Sequence, residues 1–176
     1  MSHPAFRATA LAGLVAATIS GCTSDKSGEC PTMTALVPAS EESVFVPGKP
    51  KDPSNLLYTV EIMKVSGDCD VDKKDTQADV SLGIDFHATR SPSGVAAQYR
   101  IPYFVAVTEG TERVLAKKQF WVEFSFAPGQ SATDFSDSVA STLVNAKGEK
   151  KTYDYQVLVG LQLTKAEFEY NQAQER

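Results

Sequence analysis

The stretch QADVSLGIDFHAT, residues 77–89, alternates apolar and polar side chains along its whole length. Ala78, Val80, Leu82, Ile84, Phe86 and Ala88 fall on one set of positions, and Gln77, Asp79, Ser81, Asp85 and His87 on the other. A period of two residues marks a strand, because successive side chains leave a sheet on opposite faces. One face of this strand suits a core and the other suits water, the pattern of an antiparallel sheet packed on one side.

The same period extends outward in both directions. Upstream, Leu56, Tyr58, Val60 and Ile62 alternate with Leu57, Thr59, Glu61 and Met63, which predicts a strand buried mostly on one face. Downstream, residues 99–108 (YRIPYFVAVT) predict a third strand, in which Pro102 points to a sheet edge or a bulge. Glu109 and Gly110 turn it into residues 113–126 (RVLAKKQFWVEFSF), where Phe120, Val122, Phe124 and Phe126 share a face opposite Gln119, Trp121, Glu123 and Ser125. Pro128 and Gly129 end that strand, residues 134–144 predict another, and Lys147 with Gly148 turn into a last strand over 151–163. Ahead of all these, Pro31, Pro38, Pro47, Pro50 and Pro53 break up residues 31–55, leaving short apolar runs at 34–37 and 44–46 as candidate edge strands.

A short helix closes the chain over residues 164–174. Thr164 is placed to cap it and Glu167, three residues on, to return the bond; Leu163 and Phe168 occupy the positions of a hydrophobic staple. Phe168 and Tyr170 are the candidate docking residues. Six or seven strands at short intervals predict an all-β fold: an antiparallel two-sheet sandwich, immunoglobulin-like as the first choice and a small barrel as the second. No helical pattern separates the strands, which disfavours a parallel α/β fold.

The chain has 176 residues, 42% of them apolar and 22% charged, ordinary values for a globular protein. Basic residues number 17 against 22 acidic ones, a net charge of −5. Such a surface repels phosphate backbones and anionic headgroups, so no nucleic-acid partner is expected. Any attachment to a membrane must come from something other than basic patches.

That device is read at the N-terminus. Residues 8–19 (ATALAGLVAATI) are apolar and uncharged, too short to span a bilayer and of the length of a signal-peptide core. They lead into Ile19, Ser20, Gly21 and Cys22. This tetrapeptide resembles the lipobox of bacterial lipoproteins: an aliphatic residue, two small residues and the cysteine that is acylated. The resemblance implies removal of residues 1–21, lipidation of Cys22 with palmitate-type chains, and a membrane partner reached through that anchor. Two or three chains hold a protein far more firmly than one, since each buried methylene contributes about 0.8 kcal/mol. Thr23 and Ser24 follow the cysteine where an aspartate would favour inner-membrane retention, so the periplasmic face of the outer membrane is expected. Residues 22–29 then form a short polar tether, of end-to-end distance roughly 15 Å, before a single domain over 30–176.

Cys30 and Cys69 are the other cysteines, and in an oxidising compartment they are expected to pair. A loop closed over roughly 40 residues stabilises by about 4 kcal/mol in the chain-entropy model. Two free thiols and a metal site are the rival readings.

Three further groups have residue types that could carry chemistry. Asp68, Asp70 and Asp72 have the spacing that opens an EF-hand loop, but Lys73 stands where its glycine should be and Asp79 where its glutamate should be. A solvated hairpin tip is the preferred reading, with a loose calcium site behind it. Asp85 and His87 share a strand face as a dyad would, yet no nucleophile elbow accompanies them, and an exposed strand histidine is preferred. Trp121 lies on the polar side of its strand, either half-buried under the C-terminal helix or marking a partner surface.

The runs YQVLVGLQLT (155–164), PYFVAV (102–107) and RVLAK (113–117), with Glu167, Tyr170 and Asn171, resemble a group of small, uncharacterised proteobacterial lipoproteins. That resemblance implies a fold and a compartment and carries no activity. The expected function is a non-catalytic binding or assembly module of the cell envelope, without cofactor or metal, with another envelope protein as its candidate partner. An envelope hydrolase or apolar-ligand carrier is the alternative.

Overall fold

A computed structural model describes residues 28–91, 94–111 and 113–174, with backbone alone for 166, 170 and 172–174. The segment 1–21 expected to be removed, Cys22 and the expected tether through residue 27 lie outside the described residues, as does the side chain of Tyr170. Eight strands are seen among the described residues: β1 (Thr32–Ala35), β2 (Glu41–Phe45), β3 (Leu56–Val71), β4 (Gln77–Thr89), β5 (Ala97–Glu109), β6 (Arg113–Phe126), β7 (Ala132–Asn145) and β8 (Tyr155–Leu161). Helix α1 (Lys165–Gln174) follows.

The strands form two four-stranded sheets, in the orders β1-β8-β5-β6 and β2-β3-β4-β7, packed as a sandwich. Pairing is antiparallel except between β1 and β8, which run parallel. The chain makes hairpins β3–β4 and β5–β6 and changes sheet after β1, β4, β6 and β7. These crossings between the two sheets give the sandwich a Greek-key path. β1 occupies the edge beside β8.

The apolar set of β4 that decided the fold lies wholly inside: Ala78, Val80, Leu82, Ile84, Phe86 and Ala88 are all buried. Opposite them stand Ile101, Tyr103, Val105 and Val107 of β5 and Val122, Phe124 and Phe126 of β6. Rings fill the space between the sheets, with Phe124 stacked on Phe135 at 4.5 Å and Tyr58 against Tyr99 at 4.4 Å. Burying one such side chain contributes about 1.5–3 kcal/mol, so this layer is the main stabilising element.

Three strands depart from their sequence reading. β3 continues to Val71, through the acidic segment read as a hairpin tip, because a bulge at Met63 shifts its phase. Before the bulge Tyr58, Val60 and Ile62 face inward; after it Val65, Cys69 and Val71 pack against the core. Pro102 lies in β5, an interior strand of its sheet, where an edge or bulge was expected. It is tolerated because β8 ends opposite Tyr103, and only Gln162 N–H reaches the Pro102 carbonyl at 3.1 Å on that side. The last strand starts at Tyr155 and not at 151, since Thr152–Asp154 form a 3-10 turn in which the Asp154 carboxylate accepts from Lys151 N–H at 2.7 Å.

Two polar side chains tie the loops. At one end of the sandwich the Arg90 guanidinium donates to the carbonyls of Gln130 (2.9 Å), Val95 (2.6 Å) and Ala127 (2.8 Å), and lies 4.5 Å over the Phe126 ring. It thereby joins two of the crossings between the sheets, those after β4 and after β6. At the other end the buried Thr152 donates its hydroxyl to Glu29 C=O at 3.1 Å and its N–H to Asp75 C=O at 2.8 Å. Cys30 and Cys69 form a disulfide there, with Cα atoms 5.9 Å apart, linking the residues before β1 to β3 of the other sheet.

Candidate functional site

The segment linking β1 to β2 and the helix after β8 both lean on the outer face of the β1-β8-β5-β6 sheet. That face carries Phe104 and Ala106 of β5, which are buried although they point away from the main core. Gly160 makes room for Phe104, since a Cβ at 160 would meet its ring at 2.7 Å and the Ala39 methyl at 3.0 Å. Leu36, Ala39, Leu163 and Phe168 complete a small second core. The helix is fixed as its sequence predicts. Thr164 N–H donates to the Glu167 carboxylate at 2.9 Å, and Glu167 N–H to the Thr164 hydroxyl at 3.4 Å. Asn171 adds a clamp of its own, donating to the carbonyls of Pro38 (3.2 Å) and Glu41 (2.8 Å).

Two clefts flank this helix. The first, of about 330 Å³, is apolar and lies between the helix and the sheet face, walled by Leu36, Phe104, Ala106, Leu158, Leu163 and Phe168. Thr108 also lines it; the residue is 4% exposed, and its hydroxyl has no hydrogen-bond partner among the described residues. At the rim the Lys117 ammonium lies 3.9 Å from the Phe104 ring.

The second cleft, of about 440 Å³, opens between β2 and the other side of the helix and is lined by Glu41, Glu42, Ser43, Phe45, Lys51, Glu167 and Asn171. Glu42 pairs across the sheet with Val60, so it shares the inward face of β2 with Val44. One of its carboxylate oxygens is buried without a partner among the described residues. Burial, reinforced by the charge of Glu167 and opposed by Lys51, pushes the Glu42 carboxyl up to about 7. The same burial works to raise Glu167, but bonds from Lys51 (2.8 Å) and Thr164 carry that carboxyl below its usual range. Two carboxyls with opposed tendencies therefore face one cleft, one holding its proton near neutrality and the other ionised. Such a pair can exchange a proton or hold a cation.

Cys22 lies outside the described residues. Trp121 is 48% exposed on the outer side of edge strand β6, with the Arg100 guanidinium 4.9 Å over its ring. The helix packs on Phe104 and Ala106 and leaves Trp121 open, so of the two readings of that residue the exposed one fits. His87 and Asp85 share the outer face of β4, but His87 pairs with Asp134 of β7, Nδ1 to Oδ1 at 2.6 Å. Neither residue lines the two clefts beside the helix.

Asp68 and Asp70 stand on β3, outside any loop. Asp72 turns its carboxylate onto its own hairpin, accepting from Thr76 N–H at 2.6 Å and Gln77 N–H at 2.8 Å. These bonds, that from Gln77 foremost, lower its carboxyl below the usual range. The three aspartates are thus not gathered into a loop, and no group of three or more metal-ligating His, Cys, Asp or Glu residues occurs among the described residues.

Glu42, Glu167, Thr108 and Asn171 are the polar site residues that sequence reading missed as a group. The one available signal for Glu42 was its phase, two residues from Val44 on a strand with an apolar inner face. No helix among the described residues is long and apolar enough to cross a membrane. Compared with protein families, characterised proteins and solved structures, the chain matches none of them.

Proposed function

We propose that the chain is a lipid-anchored protein of the bacterial cell envelope, acting as a non-catalytic module that docks another envelope protein on the β6 edge around Trp121. The observation that carries the docking is Trp121 itself. A large aromatic ring stands 48% exposed on an edge strand, held by a stacked arginine. Trp and Arg are the residues that most often dominate binding at protein interfaces. The outward edge of β6 has no strand neighbour among the described residues, so a partner can pair with its backbone as well.

Anchoring at Cys22 is supported by the lipobox-like tetrapeptide at residues 19–22 and by the short tether that follows. With Thr23 and Ser24 after the cysteine, the outer membrane is the favoured location.

A photoreactive amino acid in place of Trp121, in the full chain in intact cells, tests the docking. Irradiation should yield a discrete adduct with one envelope protein, and Arg100→Glu should weaken it. No adduct at position 121, with adducts formed from sites on β7, would overturn the assignment of this edge. Cys22→Ala tests the anchor separately: the variant should incorporate no labelled lipid and should leave the membrane fraction or remain unprocessed. Normal maturation of that variant would refute lipidation at Cys22.

A further inference from the structure

We propose that the apolar cleft between α1 and the outer face of the β1-β8-β5-β6 sheet binds a single acyl chain ending in a carboxylate, a free fatty acid, with its headgroup at Thr108 and Lys117 on the rim to meet it. This site is separate from the Trp121 edge and does not depend on it.

The cleft floor is a sheet face. β5 lies between β6 and β8, so its backbone groups along the floor are already paired. A peptide laid there would find no partners for its own N–H and C=O groups, whereas an acyl chain needs none. The walls are the side chains of Leu36, Phe104, Leu158, Leu163 and Phe168. A volume of about 330 Å³ stands at the low end of the range of roughly 300–1,000 Å³ for small-molecule sites, which suits one chain rather than two.

Polar groups define the headgroup end. Thr108 is buried on the outward face of β5, and its hydroxyl is unpartnered among the described residues. A buried hydroxyl in that state is destabilising until an acceptor arrives. Lys117 stands across the strand pair from Ala106, two residues from Thr108, with its ammonium over the Phe104 ring and no ion pair among the described residues. A buried donor hydroxyl in an apolar slot, with an unpaired lysine on the rim of the same slot, is complementary to a carboxylate. The other lysine lining the cleft, Lys165 on the helix, is already paired with Glu169 at 3.5 Å. One anionic group at one end of one chain accounts for the whole arrangement.

The test uses the full-length protein reconstituted in phosphatidylcholine vesicles, with a photoactivatable long-chain fatty acid as probe and covalent labelling mapped to peptides. Label is expected on residues 104–117 and 158–168. Ala106→Phe fills the floor without touching the main core and should cut labelling of these peptides at least tenfold. Thr108→Val keeps the shape and removes the donor; it should weaken probe binding about tenfold, with unchanged circular dichroism. Label spread over other surfaces, or labelling of Ala106→Phe equal to that of the parent protein, overturns the site. Labelling lost in Ala106→Phe but unaffected by Thr108→Val overturns the headgroup placement. A monoacyl phospholipid that displaces the probe as well as the free acid does overturns the commitment to a carboxylate.

Discussion

Tyr103 of β5 donates its phenolic hydrogen to the carboxylate of Asp137 on β7, at 2.9 Å, joining the two sheets through the interior. Tyr103 is fully buried, and its phenol is raised far above its usual range, first by burial and then by this bond. An inward-pointing carboxylate on an edge strand also discourages that edge from pairing with another copy. Tyr103→Phe should lose a hydrogen bond to a charged acceptor, about 1–3 kcal/mol, read as a lower urea midpoint with the same slope. Asp137→Asn, which keeps an acceptor, should lose less. Equal losses in the two variants would show that the charge, and not the bond, is what matters.

Arg90 should be the costliest single surface-chain replacement. Its guanidinium bonds carbonyls from two inter-sheet crossings, so Arg90→Ala leaves Gln130, Val95 and Ala127 short of a donor together. A loss of about 2–4 kcal/mol is expected, and Arg90→Lys should recover little of it, because an ammonium cannot serve the same fork of acceptors. Limited proteolysis should show new cleavage within residues 91–96 and 127–131. A variant with parental stability and cleavage pattern would remove Arg90 from this role.

Glu42 sets a pH dependence of definite sign. Its carboxyl titrates at about 7 in the fold against 4.5 in the unfolded chain, so between these values the folded state holds a proton that the unfolded state has lost. Stability from this group is complete below about pH 4.5, falls as pH rises, and is gone above about 7. Glu167, with a lowered carboxyl, acts in the opposite sense and withdraws its contribution only as pH falls below its unfolded value. Docking of the helix should therefore be firmest in mildly acidic solution. Glu42→Gln should abolish the slope between pH 5 and 8 and raise stability at pH 8 by about 2 kcal/mol, allowing for partial solvent screening. An unchanged slope in that variant would place the titrating group elsewhere.

Reduction of the Cys30–Cys69 bridge should lower stability by about 2–4 kcal/mol. The amide hydrogens of β1, Thr32–Ala35, should exchange faster, while the aromatic core keeps its protection. Cys30→Ser with Cys69→Ser should reproduce the effect without reductant. Loss of protection throughout the core would mean that the bridge, not the packing, holds the sheets together.

How far the fold was legible depends on phase. β4 was readable because nothing interrupts its alternation, and the β5–β6 hairpin because Gly110 takes the left-handed conformation its turn requires, with φ of 63°. The second half of β3 was not, because Met63 is an extra residue that moves Val65, Cys69 and Val71 out of register with Tyr58 and Val60. The helix was legible from Thr164 and Glu167, whose bonds are local. The site was not. Glu42 and Glu167 are brought together by the path of the whole chain, and the partner of His87 lies 47 residues away, chosen by strand register and not by the neighbouring Asp85.

The parallel pairing of β1 with β8 has a mechanical consequence. The chain enters β1 at the end where β8 begins, Thr32 lying opposite Gln156, so a pull on the N-terminus acts along the strand axis. The bonds between the two strands are then loaded together, in shear, instead of parting one after another as in an unzipping hairpin. The Cys30–Cys69 link carries part of that load across to the long β3 before β1 feels it. A domain built this way can hang from its first residues and resist tension there without its sheets coming apart.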